Sequence, residues 1–188
     1  MNVSHGEIET IEIVVPNLQE LALQFMDREM PRVIDIIGCS HLKKLTFRGI
    51  SLTNQQFHHF ISTFPLLKDL ILEDCDLESI TISSNQLKKF QVISCDNMKA
   101  LDLDTPNLLS FTYMNSPIPT SRINALCSRQ VEFLSYFTCD TQWCLKLMEF
   151  LGISYQIEDL RIDVMPTVSS FKLEEFRKSF PSPSCNVV

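Results

Sequence analysis

The histidines are the side chains of this 188-residue chain best suited to binding a metal ion or moving a proton. His58 and His59 are adjacent in a helical pattern, so their side chains point about 100° apart and do not fit one ion. His5 and His41 have no partner at metal-binding spacing. No CxxC, HExxH, GxSxG or glycine-rich phosphate loop occurs. The sequence therefore predicts no catalytic residue, no metal site and no cofactor.

The seven cysteines are the remaining candidates for chemistry. Their odd number, together with the lack of a secretory signal, favours reduced thiols over a disulfide framework. Cys75, Cys95 and Cys139 recur at one position of a repeat, where a small buried thiol packs against the next coil. The alternative is a Cys/His catalytic pair, with Cys127 or Cys139 near a histidine in an open cleft.

Charge and hydropathy limit the possible partners and the location of the chain. The formal net charge is −7, the pI is near 5.1, and no lysine or arginine block occurs. These features argue against a nucleic-acid partner and against an anionic membrane. No run approaches 18 apolar residues, and we expect a cytoplasmic or nuclear protein. Glu73, Asp74 and Asp76 are predicted to form a solvated turn, because a calcium site needs more oxygens at defined spacing.

The strands that would position these side chains are predicted from a repeated pattern, Leu-x-x-Leu-x-Leu. Seven copies occur, with central residues 20 to 26 positions apart, a period typical of leucine-rich repeats. The copies are Leu18/Leu21/Leu23, Leu42/Leu45/Phe47, Leu67/Leu70/Leu72, Leu87/Phe90/Val92, Leu108/Phe111/Tyr113, Val131/Leu134/Tyr136 and Ile157/Leu160/Ile162. Each copy predicts one strand of a parallel front sheet of about seven strands.

The segments between these copies predict a back side of mixed short strands and helices. Interposed apolar triplets predict the back strands: Ile8/Ile11/Ile13, Leu77/Ile80/Ile82 and Met98/Leu101/Leu103. Where the distance between successive copies is longer, helical spacing replaces the back strand. Phe57/Phe60/Ile61/Phe64 predict a helix behind a capping box at Thr53 and Gln56, and Cys144/Leu147/Met148/Leu151 predict a helix between a cap at Asp140 or Thr141 and a stop at Gly152. Two further helices are predicted at residues 121–127 and 173–180.

The pattern predicts one α/β solenoid domain over residues 1–180, in which stacking buries what a single turn leaves exposed. Residues 181–188 are predicted to be a frayed C-terminal tail. Because Ile8 comes almost at the start with no polar capping segment ahead of it, we expect the natural polypeptide to continue upstream.

Side chains alternate along a strand, so the residues between the inward leucines form an exposed front face. On the alignment above, the later half of this face gathers apolar residues flanked by cations. Such a cluster, rimmed by polar groups, is typical of a contact surface. We predict that this contact patch binds a partner through Ile71, Ile93, Met114, Phe133, Phe137, Lys89 and Arg161. The alternative is that these side chains pack beneath a loop or a C-terminal helix.

The irregular repeats, the slots filled by Cys75 and Cys95, and the phrases "VPNLQELALQ" and "TPNLLSFTY" resemble the RNI-like repeat region of plant F-box/leucine-rich-repeat proteins. The resemblance covers about residues 8–165. It implies an intracellular, non-enzymatic module that holds a ubiquitylation substrate for a cullin-type ligase. It also implies an N-terminal F-box that binds a Skp1-like subunit. Nothing before Ile8 could form that F-box, so Skp1 docking is expected only with an F-box upstream.

Three functions follow as hypotheses. The leading one is protein recognition on the front sheet, within a ubiquitin ligase or in a stand-alone or truncated relative without that link. The second is a small-molecule receptor, with a ligand held between the sheet and long loops. The third is an enzyme built on the Cys/His pair described above.

Overall fold

The computed structural model describes residues 10–25, 33–119, 129–135, 141–151 and 157–164. Within these ranges the chain forms short parallel strands and two helices. In chain order they are β1 Thr10–Val14, β2 Glu20–Gln24, β3 Val33–Ile37, β4 Lys44–Arg48, α1 Asn54–Thr63, β5 Asp69–Glu73, β6 Ser79–Ser83, β7 Lys89–Ile93, β8 Ala100–Asp104, β9 Ser110–Met114, β10 Gln130–Ser135, α2 Thr141–Leu151 and β11 Asp159–Val164.

One parallel sheet of seven strands forms the front of the molecule, in the order β11-β10-β9-β7-β5-β4-β2. The predicted central residues Leu21, Leu45, Leu70, Phe90 and Phe111 are register partners across five neighbouring strands. Successive turns of the chain therefore stack in sequence order. This confirms the predicted leucine-rich-repeat solenoid and its front sheet of about seven strands.

The back side combines two small parallel sheets, β1-β3 and β6-β8, with helix α1. Strands β1, β6 and β8 contain the predicted inward residues of the back triplets. Strand β3, with the sequence VIDII, was not predicted. Helix α1 lies in the step from β4 to β5, where the longer connection leaves room for a helix.

The predicted capping box begins helix α1. The Thr53 hydroxyl accepts a hydrogen bond from the Gln56 amide at 3.2 Å, and the Gln56 side chain accepts from the Thr53 amide at 2.9 Å. This satisfies two amides that the first helical turn leaves without intrahelical partners. On the inner side, Phe60 meets Phe47 of β4 with ring centroids 5.3 Å apart.

Tight turns reverse the chain at both ends of the strands. Before the strands, an amide closes a turn onto the carbonyl three residues earlier, as from Leu18 to Val15 and from Leu108 to Thr105. After the front strands, equivalent positions adopt the left-handed conformation: Gly49, Asp74, Ser94 and Asn115. These residue types tolerate positive φ, either without a Cβ atom or with a short polar side chain.

The core lies between the front sheet and the back layer. The inward residues of β4, β5, β7 and β9 are almost completely buried, as are those of β6 and β8. Phe90, Phe111 and Phe133 form an aromatic run across three strands, with centroid distances of 5.8 Å and 6.1 Å. Each buried Leu or Phe side chain contributes about 1.5–3 kcal/mol to folding, and only the neighbouring turns supply that burial.

The predicted register of β10 is wrong. Val131, not Leu134, pairs with Phe111, and Leu134 pairs with Met114 on the outward face. The strand carries apolar residues on both faces, so alternation alone does not choose between them. Packing chooses, because Phe133 fits between Phe111 and Tyr113 at centroid distances of 6.1 Å and 5.9 Å.

Several predictions concern residues outside the described ranges. They are the helices at 121–127 and 173–180, the tail at 181–188, the caps at Asp140 and Gly152, the back-strand residue Ile8, and the side chains of Tyr136, Phe137, Cys127 and Cys139.

Candidate functional site

The outward face of the front sheet consists of three columns of side chains that follow the strand register. The first column is Glu20, Lys44, Asp69, Lys89, Ser110, Gln130 and Asp159. The second is Ala22, Thr46, Ile71, Gln91, Thr112, Glu132 and Arg161. The third is Gln24, Arg48, Glu73, Ile93, Met114, Leu134 and Asp163.

An apolar row lies on the middle strands of this face, near their carboxyl ends. Ile93, Met114 and Leu134 are register partners on β7, β9 and β10, and all three are half-buried. Ile71 on β5 is diagonal to Ile93 and is half-buried as well. We call these four residues the apolar row. Side chains on adjacent strands at this spacing present one continuous surface.

The structure places some, but not all, residues of the predicted contact patch on the front face. Ile71, Ile93 and Met114 lie on the front face as predicted, and Lys89 and Arg161 are exposed at its margins. The prediction that Phe133 is exposed is wrong, because its side chain points into the core and is 1% exposed. Phe137 lies outside the described residues.

Leu134 is the residue of this surface that sequence reasoning missed, because it was assigned to the core. Its place follows once β10 is aligned on Val131, which makes the step from β9 equal to 20 residues, like the step from β5 to β7. The next step, to β11, then becomes 29 residues and contains helix α2.

Ion pairs within and between strands neutralise part of the front face. Lys44 lies 3.6 Å from Glu20, and Arg48 pairs with Glu73. At the other end, the Arg161 guanidinium lies 2.7 Å from Asp163 and 3.7 Å from Glu132 on β10. Pairs of this exposure contribute less than about 1 kcal/mol each, so a partner can exchange them at low cost.

A row of lysines borders the face where the strands begin, and it was also missed. Lys43, Lys68 and Lys88 directly precede β4, β5 and β7. In the sequence they are 20 to 25 residues apart, so no basic block is visible. The available signal was the Leu-Lys-x-Leu or Leu-Lys-x-Phe motif, which recurs at the start of these three copies.

The thiols of Cys75 and Cys95 are buried and donate hydrogen bonds to backbone carbonyls. The Cys75 thiol donates to the Phe47 carbonyl of the preceding coil at 3.5 Å, and the Cys95 thiol donates to the Leu72 carbonyl of the preceding coil at 3.9 Å. The hydrogen bond to Cys75 and burial raise the pKa of the Cys95 thiol, so it stays protonated and is a poor nucleophile at neutral pH. This confirms the predicted packing of these thiols against the neighbouring coil. Cys139 lies outside the described residues.

The acidic residues around Cys75 have separate contacts. Glu73 pairs with Arg48, and Asp76 accepts a hydrogen bond from the Asn97 side chain at 2.6 Å. In the described part of the chain, no three side chains of metal-binding type lie together. Within the same ranges, neither helix is long and apolar enough to cross a membrane.

A cleft of about 330 Å³ lies on the opposite side, between the end of α1 and the turn after β6. Ile61, Phe64 and Ile82 line its apolar part. The Ser84 hydroxyl at its rim already accepts hydrogen bonds from two backbone amides, and the Asn85 carbonyl accepts from Asn107. These polar groups are therefore engaged within the protein, and the cleft does not lie on the front sheet.

The stacked parallel strands and the repeated leucine pattern define a leucine-rich-repeat protein. Residues 16–173 match the family model for the LRR domain of At1g61320/AtMIF1, and the chain belongs to that family. Searches of curated proteins and of solved structures found no match. Repeat solenoids present extended surfaces to their partners, so the fold defines a repeat-based recognition module.

Proposed function

We propose that this chain is a non-enzymatic module that binds a protein partner on its front sheet, with the apolar row as the anchor. The observation that carries the proposal is the register of Ile93, Met114 and Leu134 on three neighbouring strands. Apolar side chains rimmed by charged groups are typical of contact surfaces, and a few such anchors supply most of the binding energy.

We further propose that the partner is a ubiquitylation substrate and that the chain serves as the substrate-binding arm of a cullin-type ligase. The support is the resemblance of the repeats to those of F-box/leucine-rich-repeat proteins. A Skp1-like subunit would join only through an F-box upstream, and the complex would act in the cytoplasm or nucleus. Mixing this chain with a purified Skp1-like subunit tests that expectation. Direct capture would show that the repeats themselves bind Skp1.

The front-sheet proposal is tested by affinity capture from a cell extract with identification of the bound proteins by mass spectrometry. Met114→Asp places a charge at the centre of the apolar row, so recovery of a specific partner should fall about tenfold or more. The matched control is Val14→Asp on β1, since Val14 is 56% exposed and lies on the back side. Equal loss in both variants, or no loss in Met114→Asp, would contradict the proposal.

A further inference from the structure

Five lysines cluster where three adjacent front strands begin. Lys43, Lys68 and Lys88 directly precede β4, β5 and β7, while Lys44 and Lys89 are the first residues of β4 and β7. We call these five residues the lysine edge. Asp69, the first residue of β5, is the acidic residue that interrupts the sequence of cations along these three strands.

The backbone holds the members of the lysine edge on consecutive rungs. The Lys68 amide donates to the Lys43 carbonyl at 2.7 Å, and the Lys88 amide donates to the Lys68 carbonyl at 2.7 Å. Strands in a sheet are about 4.8 Å apart, so three like charges stand within about 10 Å. Like charges directly opposite one another destabilise a sheet. A chain of net charge −7 nevertheless keeps them together.

Among the described residues, two of the five lysines have a side-chain partner and three have no carboxylate partner. Lys44 pairs with Glu20, and the Lys43 ammonium donates to the Gln19 side chain at 3.1 Å. For Lys68, Lys88 and Lys89, no carboxylate of the described residues lies within ion-pair distance. Lys68 and Lys89 are exposed and Lys88 is half-buried, so all three ammonium groups are within reach of a partner.

We infer that the lysine edge receives an acidic segment of the protein partner, an inference that rests on the proposed recognition by the front sheet. Lys89 and Ile93 are the first and last residues of β7. Four residues of strand separate them by about 13 Å. An extended partner segment with acidic residues and a bulky apolar residue four positions away therefore spans the lysine edge and the apolar row.

The surroundings favour a peptide over a nucleic acid or an anionic membrane. The lysine edge covers only three strands, and acidic side chains lie beside it at Glu20 and Asp69. A polyphosphate chain or a lipid surface would extend over these carboxylates, whereas a short acidic segment avoids them. The apolar row on the same face gives a peptide an additional contact that a phosphate backbone cannot make.

The test uses fluorescence anisotropy with a labelled peptide that has three acidic residues and a leucine four positions beyond them. A second peptide with glutamines in place of the acidic residues is the reference. The chain should bind the acidic peptide about tenfold more tightly than the glutamine peptide, and Lys68→Glu/Lys88→Glu should remove that difference. Raising the salt from about 50 mM to about 500 mM should weaken binding by a similar factor.

The control variant Lys99→Glu/Lys146→Glu changes the charge equally at exposed positions before β8 and on α2. It should bind like the unmodified chain, and circular dichroism checks that both double variants fold. Unchanged peptide binding in Lys68→Glu/Lys88→Glu would overturn the inference. Lysine-dependent binding of a single-stranded oligonucleotide or of phosphatidylserine vesicles, without peptide binding, would overturn it as well.

Capture of the natural partner separates the two proposals. Reduced capture by both Met114→Asp and Lys68→Glu/Lys88→Glu supports the acidic segment. Loss of capture in Met114→Asp with full capture by the lysine variant keeps the front-sheet function and overturns the acidic segment. Full capture by both variants contradicts the front-sheet function itself.

Discussion

Gly49 and Gly38 share a left-handed backbone but have different surroundings. Their φ angles are +66° and +75°. A Cβ atom added at Gly49 would lie 2.3 Å from the Phe25 carbonyl oxygen, whereas one added at Gly38 would meet no atom within 4 Å. Gly49 therefore permits both the turn after β4 and the close approach of the preceding coil, while Gly38 permits the turn alone.

The two glycines give a matched pair of substitutions. Gly38→Ala should lower the free energy of unfolding by about 1–2 kcal/mol, the cost of a left-handed alanine. Gly49→Ala should cost about 1–3 kcal/mol more, because the coil containing Phe25 must move. Urea unfolding followed by circular dichroism measures both values. Equal losses would show that the contact with Phe25 does not restrain the stack.

The buried thiol of Cys95 should make the free energy of unfolding fall as the pH rises through the alkaline range. The hydrogen bond to Cys75 and burial raise its pKa above the ordinary value of 9.0, while the same hydrogen bond lowers the pKa of the Cys75 thiol. Above pH 9 the unfolded chain releases this thiol proton while the folded chain retains it, so the stabilisation present below pH 9 is lost as the pH rises. The contribution reaches about 1.4 kcal/mol per pH unit.

The pH effect is checked by urea unfolding at pH 8, 9 and 10. Cys95→Ala should give a shallower fall in the free energy of unfolding above pH 9, even though it lowers that free energy at every pH. Val92→Ala is the control, because it creates a buried cavity on β7 without removing a titrating group. If the slope with pH is the same in both variants, the Cys95 thiol does not titrate differently in the two states.

Among the elements, those with local signals were predicted and those selected by packing were not. The capping box of α1 lies within four residues, so Thr53 and Gln56 identify the helix start directly. Strand β3 has apolar residues on both faces and matches no repeat template, so it could be found only through its pairing with β1. The register of β10 depends on contacts with Phe111 and Tyr113, whose distances the sequence does not contain.

The candidate site divides in the same way: residues with a clear local signal were predicted, and residues placed by packing or stacking were not. Ile71, Ile93 and Met114 follow from alternation in strands whose inward face is unambiguous. Phe133 was predicted to be exposed and Leu134 to be buried, but the structure shows the reverse, because β10 is apolar on both faces. The lysine edge needed the alignment of three copies at once, since its members become neighbours only when the turns stack.

The register of β10 can be tested by truncating its two faces separately. Phe133→Ala should cost about 3–5 kcal/mol, as expected for a fully buried aromatic residue. Leu134→Ala should cost less than about 1.5 kcal/mol, because its side chain is on the front face and only half-buried. Chemical unfolding of both variants gives the comparison. A larger loss for Leu134→Ala would favour the alignment in which Leu134 points inward.

At the scale of the whole molecule, stability should vary along the stack. Each turn is buried only by its neighbours. Strands β5, β7 and β9 have a paired strand on both sides, so their inward residues are almost completely buried. On β11 the residues in inward register, Leu160 and Ile162, are 43% and 41% exposed.

Because repeat arrays behave as chains of nearest-neighbour couplings, opening should begin toward β11 and leave the middle for last. Hydrogen–deuterium exchange with mass spectrometry should show slow amides in β5, β7 and β9 and faster exchange in β11. Adding a partner that covers the apolar row should slow exchange most in β7, β9 and β10, whereas protection confined to the back strands β6 and β8 would place the binding surface on the other side of the solenoid.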